Sequence, residues 1–192
     1  MKNLIIISAP SGSGKTTLCR VIQKRDESIR FSVSCTTRER REGEMDGVDY
    51  AFLTHADFEK GIAKGAFAEF EKIHGNYYYG TLKSTLDETI QRQELLLLEL
   101  DVKGAMSIKN LFPDKTISIF VEPPSLNDLR KRLLNRGTDS EERIAKRLER
   151  LGAELEYKSN FNYHVINDDV ERAVDEIMNI IQHENEGVTY GA

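Results

Sequence analysis

Two glycines, a lysine and a threonine near the start of the chain are spaced to hold a polyphosphate. The segment Lys2 to Lys24 reads KNLIIISAPSGSGKTTLCRVIQK. In its loop Ala9, Pro10, Ser11, Gly12, Ser13 and Gly14 are followed by Lys15, Thr16 and Thr17, which open a helix. Backbone N–H groups of such a loop and the helix N-terminus together form an anion nest. Gly12 and Gly14 let the backbone close on oxygen atoms, Lys15 can reach the β- and γ-phosphates, and the Thr16 hydroxyl can hold Mg²⁺. The usual pattern opens on a glycine where this chain has Ala9.

Such a nest needs a buried strand before it and a helix after it. Leu4 to Ser8 is a short apolar, β-branched run of the kind found in buried parallel strands. Thr16 to Lys24 carries Leu18, Val21 and Ile22 at helical spacing. With both flanks in place, the segment is expected to bind a nucleoside triphosphate.

Bulk properties narrow the class. A chain of 192 residues, 39% hydrophobic and 31% charged, suits one α/β domain with a full core and room for inserted subdomains. A formal net charge of −5 argues against general nucleic-acid binding. No apolar run approaches the ~20 residues that cross a bilayer, and the first apolar run leads directly into the loop rather than to a cleavage site. Cys19 and Cys35 have neither metal spacing nor a disulfide framework. A reduced, soluble, cytoplasmic protein without nucleic-acid or membrane partners is the simplest expectation, and the sequence carries no mark of oligomeric state.

Along the chain, Arg30 to Ser34 reads as a strand, followed by the polar loop CTTRERREGEMDGVDYAFL and a short strand at Tyr50 to Phe52. His55 to Lys64 reads as a helix capped by Thr54, Ala66 to Ile73 as a strand, Gly75 to Gly80 as a turn and Leu82 to Gln91 as a helix. That block is too long for a single βα connection and is expected to be a small α+β insertion facing the phosphate loop. Glu94 to Val102 returns to the central sheet, and alternation places Glu99 and Asp101 on one face at its C-terminal end. Ligands of open α/β sheets bind at that edge, where two carboxylates suit Mg²⁺ or a ligand's N–H donors. A helix from Gly104 to Leu111, a strand from Thr116 to Val121 and a helix capped by Ser125 and running to Leu134 follow. A long helix to about Lys158, a strand from Tyr163 to Asn167 and an amphipathic helix from Val170 to about His183 complete the pattern.

A phosphate loop alone does not choose among kinase, GTPase, ATPase and scaffold. Arg38 and Arg41 could grip a second phosphate by bidentate contacts, although RERRE alone reads equally as a solvated charge run. Arg132, Arg136 and Arg147 bracket Gly137-Thr138-Asp139 and suit a mobile arginine lid over a transferring phosphoryl; paired with Glu141, Glu142 and Glu149 they would equally be a helix face. Glu69 lies in a strand with Phe67 placed on its own face by alternation. It could accept from guanine N1–H and the 2-amino group, or form a salt bridge at a sheet edge. Tyr77, Tyr78 and Tyr79 could donate to a phosphate or pack the insertion. The four histidines are scattered and suggest no role.

SAPSGSGKTTL, SCTTRERREGE with VDYAF, AEFEKIHGNYYYGT, ELDVKGA, RLLNRGTDSEERIAKRL and VINDD occur in the order and spacing of guanylate kinases, and the chain resembles that family from about Lys2 to Ile181. The resemblance implies ATP-dependent phosphorylation of GMP and dGMP to GDP with Mg²⁺. It also implies a P-loop NTPase-type parallel sheet flanked by helices: a CORE at about 1–31, 92–134 and 159–192, a GMP-binding insertion at about 32–91 and a helical LID at about 135–158. By position, Ser34, Arg38, Arg41, Tyr50, Glu69 and Thr81 look like the GMP site, with the arginines on its phosphate and Ser34, Glu69 and Thr81 on guanine. Asp101 resembles a carboxylate that also contacts this site, Arg132, Arg136 and Arg147 resemble the arginines that neutralise the phosphoryl, and Asn167 resembles a residue near the ATP adenine.

Three positions depart from the family pattern. GNYYG gains a tyrosine, which makes the phosphate-contacting one Tyr79 counted from Gly80 or Tyr78 counted from Gly75. D-I-D becomes Glu99-Leu100-Asp101, and glutamine becomes Lys103. The rival readings are a ribose-bisphosphate kinase on the same scaffold, which would not need Glu69 and Ser34, and a non-catalytic module of the same fold, which would not need Lys15. A regulatory GTPase is disfavoured because no N-K-x-D segment follows the loop.

Overall fold

The computed structural model describes residues 1–10, 12–73, 76–135, 152 and 154–186. Arg136 and Arg147, Ser11 and most of the expected LID lie outside the described residues. Five strands form a parallel sheet in the order β2-β7-β1-β8-β9. They are β1 (Leu4–Ser8), β2 (Ile29–Phe31), β7 (Leu95–Leu100), β8 (Thr116–Glu122) and β9 (Tyr163–Ile166). The central strand β1 is buried on both faces, which is why it reads as an unbroken apolar run rather than an alternating one.

Helices cover both sides. On one face Ile5, Ile7, Leu97 and Ile119 pack with Leu18 and Ile22 of α1 (Lys15–Arg25) and Val174 and Ile177 of α6 (Val170–Glu184). On the other, Leu4, Ile6 and Leu98 pack with Leu86 of α3 (Lys83–Gln91) and Ala105 and Ile108 of α4 (Val102–Leu111). The helix α5 (Leu126–Asn135) follows β8, and the Ser125 hydroxyl accepts from the Asp128 N–H at 3.1 Å, the cap expected from the sequence. No helix among the described residues is long and apolar enough to cross a membrane.

A second sheet, of four strands in the order β4-β3-β6-β5, stands between β2 and β7 in the chain. Its strands are β3 (Cys35–Thr36), β4 (Ala51–Phe52), β5 (Phe67–Ile73) and β6 (Tyr77–Leu82). Helix α2 (His55–Ala63) closes one side: Phe58 stacks on Phe67 at 4.2 Å and on Tyr78 at 5.0 Å between ring centroids. Thr54 caps α2, accepting from the Asp57 N–H at 3.1 Å.

The insertion corrects four local readings. The expected strand Arg30–Ser34 divides between the sheets: Ser32 N–H still donates to Leu97 of the central sheet at 2.9 Å, while the Ser34 carbonyl accepts from Ala51 of the second at 2.9 Å. The expected turn Gly75–Gly80 is mostly strand β6, because Tyr77 to Leu82 pair antiparallel with β5. A β-bulge between Phe67 and Glu69 puts an extra residue into β5. Phe67 therefore faces α2 while Glu69 faces Thr81 on the other side, and the two do not share a face. Strand β7 ends at Leu100, and Asp101 is the N-cap of α4, its side chain accepting from the Gly104 N–H at 2.7 Å.

Candidate active site

The phosphate loop is built by tying backbone to backbone. Ser13 N–H donates to the Pro10 carbonyl at 3.1 Å, and Gly14, with φ of 94°, is the N-cap of α1. That left-handed conformation strains any residue with a Cβ. Asn167 closes the loop from behind, buried and donating from Nδ2 to the Ser13 carbonyl at 2.7 Å. A Cβ at Gly14 would lie 2.5 Å from that nitrogen, so glycine is required twice over. Asn167 thus supports the loop rather than lying open beside it.

Lys15 folds over the loop and donates from Nζ to the Ala9 carbonyl at 2.6 Å. Burial pushes its pKa down, against the pull of Glu99, Glu154 and Asp101. Thr16, on the first turn of α1, donates from Oγ1 to Glu99 Oε1 at 2.7 Å. A hydroxyl and a carboxylate in contact beside a phosphate nest are the hard oxygen donors that suit Mg²⁺. Among the described residues no group of three or more His, Cys, Asp or Glu side chains could hold a metal by itself, so phosphates and water would have to supply the other ligands.

A cleft of about 480 Å³ runs from this loop to the second sheet. Lys15, Thr16, Ser34, Tyr50, Glu99 and Asp101 line it. Beside Tyr50 stands Arg38, which donates from Nε to the Tyr79 hydroxyl at 3.2 Å and lies 5.4 Å from the centre of the Tyr50 ring. Tyr79 packs edge-on against Tyr50, whereas Tyr78 is stacked under Phe58 on the opposite face. Of the two tyrosine registers, it is Tyr79 that lies beside Arg38.

Beyond the arginine, carboxylates converge. Glu69 Oε1 accepts from the Thr81 hydroxyl at 2.7 Å, and burial pushes the Glu69 pKa up. Helix α4 meets β5 here through Gly104: a Cβ at that position would lie 2.9 Å from Glu69 Oε2 and 3.3 Å from Asp101 Oδ1. Glu71, one step further on the same face of β5, is pushed up to about 7, chiefly by a hydrogen bond to Asp101. Lys103 approaches Glu71 at 4.0 Å. The cleft thus carries Lys15 and Thr16 at the phosphate loop, fit for an anion, and through Asp101 it adjoins the acceptor cluster of Glu69 and Glu71, fit for a ring edge that carries N–H donors.

Of the residues expected from the sequence, Lys15, Thr16, Ser34, Tyr50, Glu99 and Asp101 line this cleft, Arg38 and Tyr79 lie against Tyr50, and Glu69 pairs with Thr81. Arg132 lies in α5, but its side chain, like Arg136, Arg147 and Ser11, lies outside the described residues. Sequence reasoning missed Gly104, Glu71 and Glu44. Glu44 sat inside a charged run with nothing to mark it, and the other two acquire meaning only when α4 is laid against β5.

The chain's relatives can now be set beside this geometry. A family model described as guanylate kinase matches residues 1–184. A guanylate kinase of Chlorobium luteolum is 47% identical over 175 residues, covering 91% of this chain and 88% of that protein. A guanylate kinase of Thermotoga maritima is 41% identical over 186 residues, covering 97% and 89%. Among solved structures, a guanylate kinase from Anaplasma phagocytophilum superposes with a TM-score of 0.78 at 28% identity, over 97% of this chain and 87% of that one.

Proposed function

This chain belongs to the guanylate kinase family, an enzyme that phosphorylates GMP to GDP with ATP, and on that premise we propose how its residues divide the work. The loop Ala9 to Thr17 holds the ATP phosphates, with Lys15 on the β- and γ-phosphates and Asn167 keeping the loop in shape. Thr16 and Glu99 would hold Mg²⁺ together with phosphate oxygens and water; when bound, the ion supplies charge neutralisation at the triphosphate. Arg38, Arg41, Tyr50 and Tyr79 hold the GMP phosphate. Glu69 and Thr81, with Ser34 and Asp101, read the guanine edge, and dGMP is accepted with GMP. Arg132, Arg136 and Arg147, from α5 and a LID at about 135–158, complete the neutralisation over a CORE and an insertion at about 32–91.

In the reaction a GMP phosphate oxygen attacks the γ-phosphorus in line and the bond to the β–γ bridging oxygen breaks, giving GDP and ADP. The acceptor is already an anion, so no general base is needed; the barrier is repulsion between anions, which fixed cations offset. Closing the insertion over the loop would exclude water, the competing acceptor.

The observation that carries this reading is the Glu69–Thr81 hydrogen bond, with Glu69 and Asp101 both packed against Gly104 and Asp101 also lining the cleft that holds Lys15 and Thr16. The test is ADP production with Mg²⁺ and GMP, dGMP, AMP, CMP, UMP or a ribose phosphate as acceptor. Turnover confined to GMP and dGMP is expected. Comparable turnover with AMP would remove the guanine role from Glu69, and turnover with the sugar phosphate would replace the reading altogether.

A further inference from the structure

The loop after β3 carries two arginines in unlike states. Arg38 is 10% exposed at its side chain, and its donors are nearly all spent. Nε donates to Tyr79 at 3.2 Å, Nη1 to the Glu39 carbonyl at 2.7 Å and to Glu44 Oε2 at 3.0 Å, and Nη2 to Glu44 Oε1 at 2.7 Å. A guanidinium has five N–H groups, so one, on Nη2, is left. Arg41 is exposed, and among the described residues its guanidinium makes no hydrogen bond; its backbone is tied to Glu44, the N–H donating to Glu44 Oε2 at 2.8 Å and the carbonyl accepting from the Glu44 N–H at 3.2 Å. The Glu44 carboxylate is thus the common partner of both arginines. Those bonds hold its pKa at about 2, so it stays an anion at every working pH.

A permanent carboxylate on the wall of the cleft is an odd neighbour for an incoming phosphate, since like charges repel. It is tolerable because Arg38 cancels it by a two-point pairing that also fixes the guanidinium plane. We propose that Glu44 is a positioning residue for the acceptor phosphate, locking Arg38 as a fixed wall and shaping the loop so that Arg41 makes the grip. This rests on the reading of Arg38 and Arg41 as the acceptor-phosphate site, and it goes beyond that reading by making the two arginines unequal. Arg38 and Glu44 then act as a unit. Removing Arg38 alone exposes a bare carboxylate toward the phosphate, whereas removing both charges does not.

The experiment is steady-state kinetics, with KM for GMP, KM for ATP and kcat measured for Arg41→Ala, Glu44→Gln, Arg38→Ala and the double variant Arg38→Ala/Glu44→Gln. Arg41→Ala is expected to raise KM for GMP at least about tenfold, and Arg38→Ala about 10²-fold. Glu44→Gln should raise it by about threefold to tenfold with KM for ATP unchanged. The double variant should bind GMP about tenfold better than Arg38→Ala alone, a recovery that independent contacts cannot produce. If neither arginine variant alters KM for GMP, the phosphate site itself is misplaced. If both do, yet Glu44→Gln matches the wild type and the double variant is no better than Arg38→Ala, the site stands and the role of Glu44 is overturned. A general loss of folding is told apart by apparent kcat and the melting temperature, which would fall in the same variants while both KM values stay near wild type.

Discussion

The two regions proposed to handle phosphate in this enzyme are built on opposite principles. The first is made of backbone: a strand buried on both faces delivers a loop whose shape is held by Gly14, by the Ser13–Pro10 hydrogen bond and by Asn167 behind it. The second is made of long side chains, Arg38 and Arg41, standing on a loop and held by one carboxylate. Backbone dipoles fixed by a core cost nothing to reorganise when a phosphate arrives, which suits the donor whose phosphoryl must be held in line. Side chains on a loop can follow a substrate that enters with a moving insertion. On the proposed assignment, the contrast teaches where precision is stored: in the sheet for ATP, and in ion pairs and hydrogen bonds across elements for GMP.

The sharpest way to break the comparison is at Lys15. Lys15→Ala should lower kcat by about 10²–10³-fold while the melting temperature stays near that of the wild type, because the lysine is a partly desolvated charge rather than a packing element. Near-normal turnover would mean that the loop holds ATP without acting on the transition state.

The acceptor side is expected to answer to small steric changes. At Gly104 the helix would accept alanine, which favours helix by about 1 kcal/mol over glycine, yet the added methyl would stand 2.9 Å from Glu69 Oε2. Gly104→Ala should therefore hold or raise the melting temperature while increasing KM for GMP about tenfold, with KM for ATP unchanged. Equal rises in both constants would show that the two regions are mechanically one.

The smallest effect concerns pH. Glu71 is raised from 4.5 to about 7 by its hydrogen bond to Asp101 and by partial burial. The folded protein then binds more protons than the unfolded chain between those values, so the stability from this pair is present below about 4.5 and lost as pH rises to about 7. Glu71→Gln, which donates to Asp101 at any pH, should flatten that decline in melting temperature between pH 5 and 8. An unchanged slope would mean that the pair shares no proton.

How much of this was legible in the sequence follows the same division. The strand, loop and first helix are local, and a few adjacent residue types specify each; so are the caps Thr54 and Ser125. The insertion is not local. Alternation predicts that Phe67 and Glu69 share a face, and the bulge between them reverses this, with no residue in the run that announces it. Gly75 to Gly80 reads as a turn between two glycines, but pairing with β5 makes Tyr77 to Leu82 a strand. Asp101 continues the pattern of β7 on paper and is instead spent on capping α4. Motifs of the family pointed to Glu69, Thr81 and Tyr79; what each one touches depends on sheet register, which spacing alone does not carry.

One carboxylate, Glu69, half-buried and held by Thr81, is proposed to read guanine independently of how ATP is gripped. The most direct measurement is kcat/KM for GMP, together with KM for ATP, in Glu69→Gln, an isosteric change that turns one acceptor oxygen into a donor facing the N–H groups of guanine. The account predicts a fall of about 10²-fold or more in kcat/KM for GMP with KM for ATP within about twofold of wild type. A variant that keeps wild-type kcat/KM for GMP, or that loses ATP and GMP in equal measure, would contradict it.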